Sequence, residues 1–537
     1  MTAEMKLGQR ATDAKSSVAL GLSRAQWAAI IIPALACLAL CVYQLQLPNV
    51  LVGIHSYSGG GYDDGVHIAT ALRLTGMSFP YADYVFLHPP GIAVFLYPLA
   101  VIGRLTSEQD ALVLGRILMT LISVANVVLI SALLRRRGTV AMLFGGMFLA
   151  LWPLSVDATR TIMLEPVMVL LALIGALLMF PDGRFASGNR IINAGLFFGF
   201  ALSIKMLAVM PIAAVVVLAL VKWRVRIKPL VIGVALGFSM IVLPFFLMAP
   251  RNFVEQVLIS QLTRYPSTSF AKPAAERLAM ILGLSSQPSP SQASLAVVIS
   301  CVLAVLVAFT YAVQRRRLRD LDWFALAAAA FVIMGMFRAP DLFEHYLYLS
   351  AAFLALLFGT TLGLLLELLP ERVGPDGVAV RWLVGCVVAT IVLVLSVPLF
   401  RHDQTVSKIF ISSADDPSEW IASFIPKGSC VVSDVSTLPI IADRYQTDNP
   451  NCPTPVDPFG MWLAQPSHKS PNQSESASPE LIATWRDYLE RTDYVVMSVD
   501  YTNFFPWPPQ QQQWFANNFR KVGTRGQVVV YEKVRNG

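Results

Sequence analysis

Apolar residues along this chain occur in long blocks and do not alternate with polar ones. Residues 28–43 (AAIIIPALACLALCVY) and 207–220 (LAVMPIAAVVVLAL) contain no charge at all. A transmembrane helix needs about 20 mostly apolar residues, so blocks of this kind predict membrane spans. They recur at residues 26–44, 111–134, 139–156, 165–181, 191–204, 206–221, 229–249, 294–314, 323–338, 346–366 and 382–400, about eleven spans in all.

The loops between these blocks predict an orientation. Alternate short loops are basic, at residues 135–137, 182–190, 222–228, 315–319 and 371–381. Short basic loops of membrane proteins face the cytoplasm. We therefore expect a cytoplasmic N-terminal segment at 1–25, an uncleaved signal-anchor helix at 26–44, a first outer loop at 45–110, and an extracytoplasmic region at 401–537. Residues 91–104 are too short to span comfortably and are expected to lie on or dip into the membrane.

Composition agrees with a membrane protein. Of 537 residues, 55% are hydrophobic and only 14% are charged, whereas soluble domains are about 25% charged. The formal net charge is +7, but the basic residues stand between apolar blocks. A nucleic-acid partner would require a basic groove with stacking aromatics, which the sequence lacks, so the expected partner is the lipid bilayer.

The region 401–537 is predicted to be a small α/β domain. Strands are expected at 428–434, 493–500 and 527–534, and helices at 479–490 and 509–519. The predicted fold class is therefore a polytopic α-helical membrane protein, residues 26–400, with a C-terminal extracytoplasmic α/β domain. Cys430 and Cys452 lie in this polar region and are a plausible disulfide if it is extracytoplasmic; two free buried thiols are the alternative.

The chemistry is concentrated in residues 58–91, SGGGYDDGVHIATALRLTGMSFPYADYVFLHPPG. Asp63 and Asp64 stand at the start of a segment with helical spacing. One carboxylate is a candidate general base, while a solvated helix cap is the alternative. Adjacent helical residues point about 100° apart, so both carboxylates do not face one substrate, and one is expected to be the base and the other the cap.

These motifs resemble those of the GT-C glycosyltransferases. The resemblance rests on acidic residues after the first span, the Gly76-x-x-x-Pro80-Tyr81 segment, His88-Pro89-Pro90-Gly91 before an interfacial helix, and Arg116 in the second span. It is closest to the protein-mannosyltransferase-like branch and its actinobacterial relatives. It covers about residues 26–400, and no motif covers the C-terminal region.

The resemblance implies three groups of site residues. The catalytic carboxylates would be Asp63, Asp64 and Glu165. The donor phosphate would be bound by Lys205, Arg338, His345 and Tyr346. The substrate pocket would include Tyr62, His88 and Arg160. Simpler interpretations are a local Arg160–Glu165 ion pair, a Lys205 side chain that snorkels to the interface, and an interfacial His345.

The resemblance also implies a function: transfer of a sugar, most readily mannose, from a polyprenyl-phosphate donor to an extracytoplasmic glycan or lipoglycan by inverting displacement. Arabinofuranosyl transfer and protein O-mannosylation are alternatives, as is a lipid-linked-sugar transporter or flippase. A transporter would carry charges near the bilayer midplane, whereas here they gather at the outer ends of the spans. No cofactor is expected; a divalent cation is possible, but no ligand spacing predicts a metal site.

Overall fold

The computed structural model describes residues 22–44, 61–152, 158–159, 161–222, 227–264, 272–285, 287–368, 417–447, 449–453, 455–465, 477–498, 504–526 and 528–534. The predicted span at 382–400 lies outside the described residues. Within them, apolar helices precede a smaller C-terminal α/β region, which confirms the predicted fold class.

The N-terminal part consists of helices. They are Arg24–Gln44, Gly61–Thr75, Gly91–Leu105, Glu108–Leu133, Thr139–Leu151, Leu164–Met179, Asn189–Ile204, Val209–Lys222, Ile227–Met248, Ala274–Ile281, Pro290–Val313, Asp320–Arg338 and Leu347–Leu366, with short helical turns between several of them. Among the described residues, 6 helices are long and apolar enough to cross a membrane, and five shorter apolar helices accompany them. Each described helix with a predicted span begins and ends near the predicted bounds, because block length and hydropathy determine it.

One interruption of the helical path matters for the site. The helix Asn189–Ile204 ends at Lys205, whose backbone is extended (φ −152°, ψ 137°). A short 3-10 turn, Met206–Ala208, then leads into the helix Val209–Lys222. The lysine therefore lies at a break between two apolar helices, where its side chain is buried.

The C-terminal region contains a four-stranded sheet. Its strands are β1 (Val431–Ser433), β2 (Tyr494–Ser498), β3 (Phe519–Arg525) and β4 (Val528–Lys533), in the order β1-β2-β4-β3. β1 and β2 are parallel, with Val432 opposite Val495, and the other pairs are antiparallel. The helices are Ser418–Phe424, Thr437–Ile441, Pro458–Ala464, Pro479–Arg491 and Pro509–Asn518.

Two features of this region extend the sequence prediction. Cys430 and Cys452 are joined in a disulfide, with 5.4 Å between their Cα atoms. Strand β3 was not predicted, because its sequence FRKVGTR has no apolar alternation. It is an edge strand whose exposed residues include Arg520 and Lys521, and such charges protect sheet edges from pairing with other chains.

The C-terminal region packs directly against the N-terminal part through buried polar contacts. The carboxylate of Glu108 accepts hydrogen bonds from the backbone N–H groups of Tyr445 (2.7 Å) and Gln446 (2.5 Å). The Thr437 hydroxyl donates to the carbonyl of Gly61. A Cβ atom at Gly65 would lie 2.4 Å from the Thr437 nitrogen, so only glycine permits this close approach.

Candidate active site

The helix Gly61–Thr75, hereafter the acidic helix, carries Asp63 and Asp64 in its first turn. Asp64 is fully buried, and its Oδ2 accepts a 2.5 Å hydrogen bond from the Arg116 guanidinium. Its Oδ1 accepts from the backbone N–H of Ile162. Because both oxygens are engaged inside the protein, Asp64 joins the acidic helix to its neighbours. These contacts favour a structural role for Asp64 over the predicted catalytic one, so Asp63 is the stronger candidate base.

Asp63 is half-buried beside several charged groups. Burial raises the pKa of its carboxyl to about 7; Lys205 opposes this shift, whereas Asp457 and Glu165 add to it. A general base is most effective when its pKa is close to the working pH. Asp63 therefore has the electrostatic environment that proton abstraction at neutral pH requires.

Glu165 and Lys205 form a buried ion pair next to this carboxyl. Lys205 Nζ lies 2.5 Å from Glu165 Oε1 and 4.1 Å from the centre of the Tyr346 ring. His345 Nε2 is 4.0 Å from the same Glu165 oxygen. The other oxygen, Oε2, is buried and has no hydrogen-bond partner within the described part of the chain. Since an unsatisfied buried carboxylate oxygen is costly, this atom is suited to accept a hydrogen bond from a ligand.

His88 reaches the site through the His-Pro-Pro-Gly motif. A Cβ atom at Gly91 would lie 2.4 Å from the carbonyl oxygen of Ser203, so glycine lets the motif pack against the backbone just before Lys205. The His88 ring centre is 6.0 Å from that of His67. Burial lowers the pKa of His88 well below its usual range and that of His67 to about 4. Both imidazoles are therefore neutral at pH 7 and contribute hydrogen bonds without charge.

Arg264 is a member of the site that the sequence interpretation missed. Its guanidinium lies 2.9 Å from Asp341 Oδ2 and stands over the rings of Phe343 (5.3 Å) and Phe459 (5.5 Å). Its buried Nε has no hydrogen-bond partner among the described residues. The residue follows the helical segment that ends at Leu262 and belongs to no predicted span or motif, so the sequence contained no signal for it.

Arg338 does not join this group, although the sequence interpretation assigned it to the donor phosphate. It ends the helix Asp320–Arg338 with an exposed side chain. Within the described part of the chain it forms no ion pair with the residues above. Because Arg264 contacts residues around the candidate site and Arg338 is exposed, Arg264 is the stronger candidate for contact with a phosphate. The pocket residue Arg160 lies outside the described residues, and Glu165, which was alternatively expected to pair with it, pairs with Lys205.

The C-terminal region contacts the acidic helix next to Asp63, through the side chain of Tyr62. The Tyr62 hydroxyl donates a 2.7 Å hydrogen bond to Asp457 Oδ1 and accepts one of 2.7 Å from the backbone N–H of Phe459. Asp457 also caps the helix Pro458–Ala464 by accepting from the N–H of Gly460 at 2.8 Å. Burial raises the pKa of Asp457, whereas the hydrogen bonds that its carboxylate accepts from Tyr62 and Gly460 oppose this shift. The sequence analysis assigned Tyr62 to the substrate pocket but did not identify Asp457 and Phe459, which form hydrogen bonds with its hydroxyl.

The described residues contain no group of three or more His, Cys, Asp or Glu side chains arranged to hold a metal ion. The site they form instead contains carboxylates, cations and aromatic rings. Its central members are Asp63 on the acidic helix, the Glu165–Lys205 pair, Arg264 and Asp457.

Comparison with known proteins gives this geometry a context. Residues 86–340 match the sequence profile of Glycosyltransferase family 87, while no curated protein sequence matches significantly. Among solved structures, ArnT from Cupriavidus metallidurans bound to undecaprenyl phosphate aligns with a TM-score of 0.57 and 15% identity, covering 96% of this chain and 99% of that one. Its apo form aligns with a TM-score of 0.51 and 15% identity, covering 88% and 93%.

The Archaeoglobus fulgidus oligosaccharyltransferase tethered with an acceptor peptide aligns at a TM-score of 0.49 and 13% identity, covering 95% of this chain and 74% of that one. At such identities the ArnT alignments establish the fold alone. The matched profile and the shared fold confirm the predicted class of enzyme. The chain is a multi-pass membrane glycosyltransferase of the GT-C fold.

Proposed function

We propose that this enzyme transfers a hexose, expected to be mannose, from a polyprenyl-phosphate sugar to a hydroxyl of an extracytoplasmic glycan or lipoglycan, with inversion at the anomeric carbon. The observation that carries the proposal is the placement of Asp63. Its carboxyl has a pKa of about 7 and lies close enough to Lys205 and Glu165 to be shifted by both. A neutral-pH base next to a buried cation is the arrangement that glycosyl transfer from a phosphate donor requires.

The donor phosphate would be held by Lys205, Arg264 and His345. The Lys205 ammonium has three N–H donors, and among the described residues its hydrogen-bond acceptor is Glu165 Oε1. The Arg264 guanidinium has a free Nε–H beside its contact with Asp341. These donors can stabilise the negative charge that develops on the departing phosphate. A polyprenyl donor is supported by the similarity of fold to ArnT, which has been solved with bound undecaprenyl phosphate.

The chemical step is a single displacement. Asp63, as the carboxylate, removes the proton of the acceptor hydroxyl, and the hydroxyl oxygen attacks the anomeric carbon from the side opposite the phosphate. The bond between that carbon and the phosphate oxygen breaks, and its electron pair leaves with the polyprenyl phosphate. The products are one glycosidic bond, free polyprenyl phosphate, and a protonated Asp63 that returns its proton to solvent. Glu165 Oε2 is placed to accept a hydrogen bond from a hydroxyl of the donor sugar.

The choice of mannose and of a glycan acceptor follows from the sequence resemblance to the mannosyltransferase branch. The proposed orientation follows from the basic loops, which put the N-terminus in the cytoplasm and the C-terminal region outside the plasma membrane. Protease added to intact spheroplasts should therefore cleave the C-terminal region. The choice of donor in the following assay distinguishes arabinofuranosyl transfer from mannosyl transfer.

The test uses the purified full-length enzyme in proteoliposomes. It is given radiolabelled polyprenyl-phosphate mannose or polyprenyl-phosphate arabinofuranose, together with native envelope glycolipids. We expect labelled glycolipid from the mannose donor and its loss in Asp63→Asn. The matched control is Asp83→Asn, an exposed carboxylate in the same outer segment, where asparagine keeps the acceptor for the Phe79 N–H. Transfer from the arabinofuranose donor alone would overturn the assignment of mannose. Undiminished transfer by Asp63→Asn would overturn the assignment of Asp63 as the base.

A further inference from the structure

The C-terminal region contributes two aromatic rings to the site, those of Phe459 and Phe504. The Phe504 ring packs edge-on against Tyr62 at a centroid distance of 5.1 Å and lies 5.5 Å from the Phe459 ring. Phe459 in turn lies against the Arg264 guanidinium at 5.5 Å. The two rings thus form a continuous surface between Tyr62, which precedes Asp63, and Arg264, which we propose binds the donor phosphate.

These rings are less buried than the aromatics that form the core of the region. Trp462, Trp485 and Phe505 are completely buried in its core, whereas Phe459 and Phe504 are half-buried. Both are also held in position. The Trp462 indole N–H donates a 2.6 Å hydrogen bond to the Phe504 carbonyl, and the Phe459 N–H donates to Tyr62. An aromatic surface that is fixed but incompletely covered is suited to bind a ligand.

Buried polar groups border the rings. Asp457 accepts a hydrogen bond from the Tyr62 hydroxyl, which itself accepts one from the Phe459 N–H. The Nε of Arg264, itself buried, has no hydrogen-bond partner among the described residues. Flat apolar faces edged by hydrogen-bonding groups match the chemistry of a sugar ring, which has C–H faces and a hydroxyl rim.

We infer that Phe459 and Phe504 form a binding subsite for a sugar ring of the acceptor, so that the C-terminal region recognises a saccharide and presents its hydroxyl to Asp63. This inference rests on the proposed function and adds to it the residues of the C-terminal region that contact the acceptor sugar. It also gives the C-terminal region a direct part in substrate recognition.

The experiment replaces each ring by a side chain that keeps hydrophobic bulk but has no flat face. In Phe459→Leu and Phe504→Leu we expect the KM for the glycolipid acceptor to rise about five- to tenfold, the scale of one aromatic contact. The KM for the polyprenyl-phosphate sugar should change much less. Phe504→Tyr keeps the ring and should restore an acceptor KM close to that of the wild type. The control is Trp514→Leu, a half-buried aromatic of the same region that packs on Arg486 at 3.9 Å.

Direct binding separates recognition from turnover. Radiolabelled acceptor should bind the inactive Asp63→Asn protein and bind several-fold more weakly after a second change, Phe459→Leu. Equal acceptor KM and equal binding in the Leu variants would overturn the inference while leaving the proposed function intact. Equal use of an acceptor lipid without a sugar headgroup would also overturn it. Failure of the wild type to cleave the polyprenyl-phosphate sugar at all would instead overturn the proposed function.

Discussion

The hydroxyl of Tyr62 donates a 2.7 Å hydrogen bond to the carboxylate of Asp457, although 395 residues separate them in the sequence. Tyr62 immediately precedes the proposed base, and Asp457 belongs to the C-terminal region. Because the charge of Asp457 is one of the causes that raise the pKa of Asp63, this region influences the ionisation of the base as well as its position.

Asp457→Asn tests that electrostatic link. Asparagine keeps a carbonyl oxygen for the Tyr62 hydroxyl but removes the negative charge, so the pKa of Asp63 should fall. The acid limb of the pH profile of kcat/KM should therefore move to lower pH, by several tenths of a unit. Asp487→Asn, an exposed carboxylate of the same region, is the control. If the acid limb of Asp457→Asn lay at the same pH as that of the wild type, the charge of Asp457 would not influence the pKa of Asp63.

The wild-type enzyme should show an acid limb near neutral pH. A base must be deprotonated to act, and burial raises the pKa of Asp63 to about 7. Transfer should therefore increase about tenfold per pH unit well below that value and level off above it. Asp63→Asn should lose at least about a hundredfold in rate and show no such limb. A wild-type profile that is flat from acidic to neutral pH would count against Asp63.

The same shift predicts a pH-dependent gain in stability for Asp63→Asn. The folded-state pKa is raised above the unfolded value, so the contribution of Asp63 to stability is full below the unfolded pKa and is lost as the pH rises through about 7. The variant should melt at a higher temperature than the wild type at pH 8 and show no gain at pH 4. Thermal unfolding in detergent at both pH values measures this, and an equal change at both would contradict it.

Asp64 should matter for stability more than for chemistry. Its ion pair with Arg116 is buried on both sides, and removing one member of such a pair costs about 3–5 kcal/mol. Asp64→Asn and Arg116→Met should each lower the melting temperature markedly, and the double variant should lose less than the sum. If Asp64→Asn melted normally but lost all transfer, Asp64 would return as a candidate base.

The two arginines near the proposed phosphate site should behave differently. Arg264→Gln removes the guanidinium that lies between Phe343 and Phe459, and we expect the donor KM to rise about tenfold or more, as for a charge-assisted hydrogen bond. Arg338→Gln changes an exposed side chain and should leave the donor KM within about twofold. A larger effect from Arg338 than from Arg264 would reverse the assignment.

The sequence was sufficient for features that depend on local patterns. Apolar blocks predicted the helices, and the resemblance named Lys205, which forms a buried ion pair with Glu165 in the candidate site. Arg264, Asp457 and Phe459 could not be predicted, since each belongs to the site only through contacts across long stretches of chain. Asp63 and Asp64 likewise could not be distinguished from the sequence, because the contacts of Asp64 with Arg116 and Ile162 join residues that are far apart along the chain.

The contacts of Asp457 and Phe459 with Tyr62 also have a consequence for synthesis. The ribosome completes the acidic helix, Glu165 and Lys205 long before it reaches residue 457, so the membrane part is made while one wall of the site is missing. Under the proposed function, a chain that stops before residue 457 contains Asp63 but lacks Phe459 and Phe504, the residues that we infer bind the acceptor sugar. Under these proposals, transfer would begin only after Asp457, Phe459 and Phe504 have been synthesised.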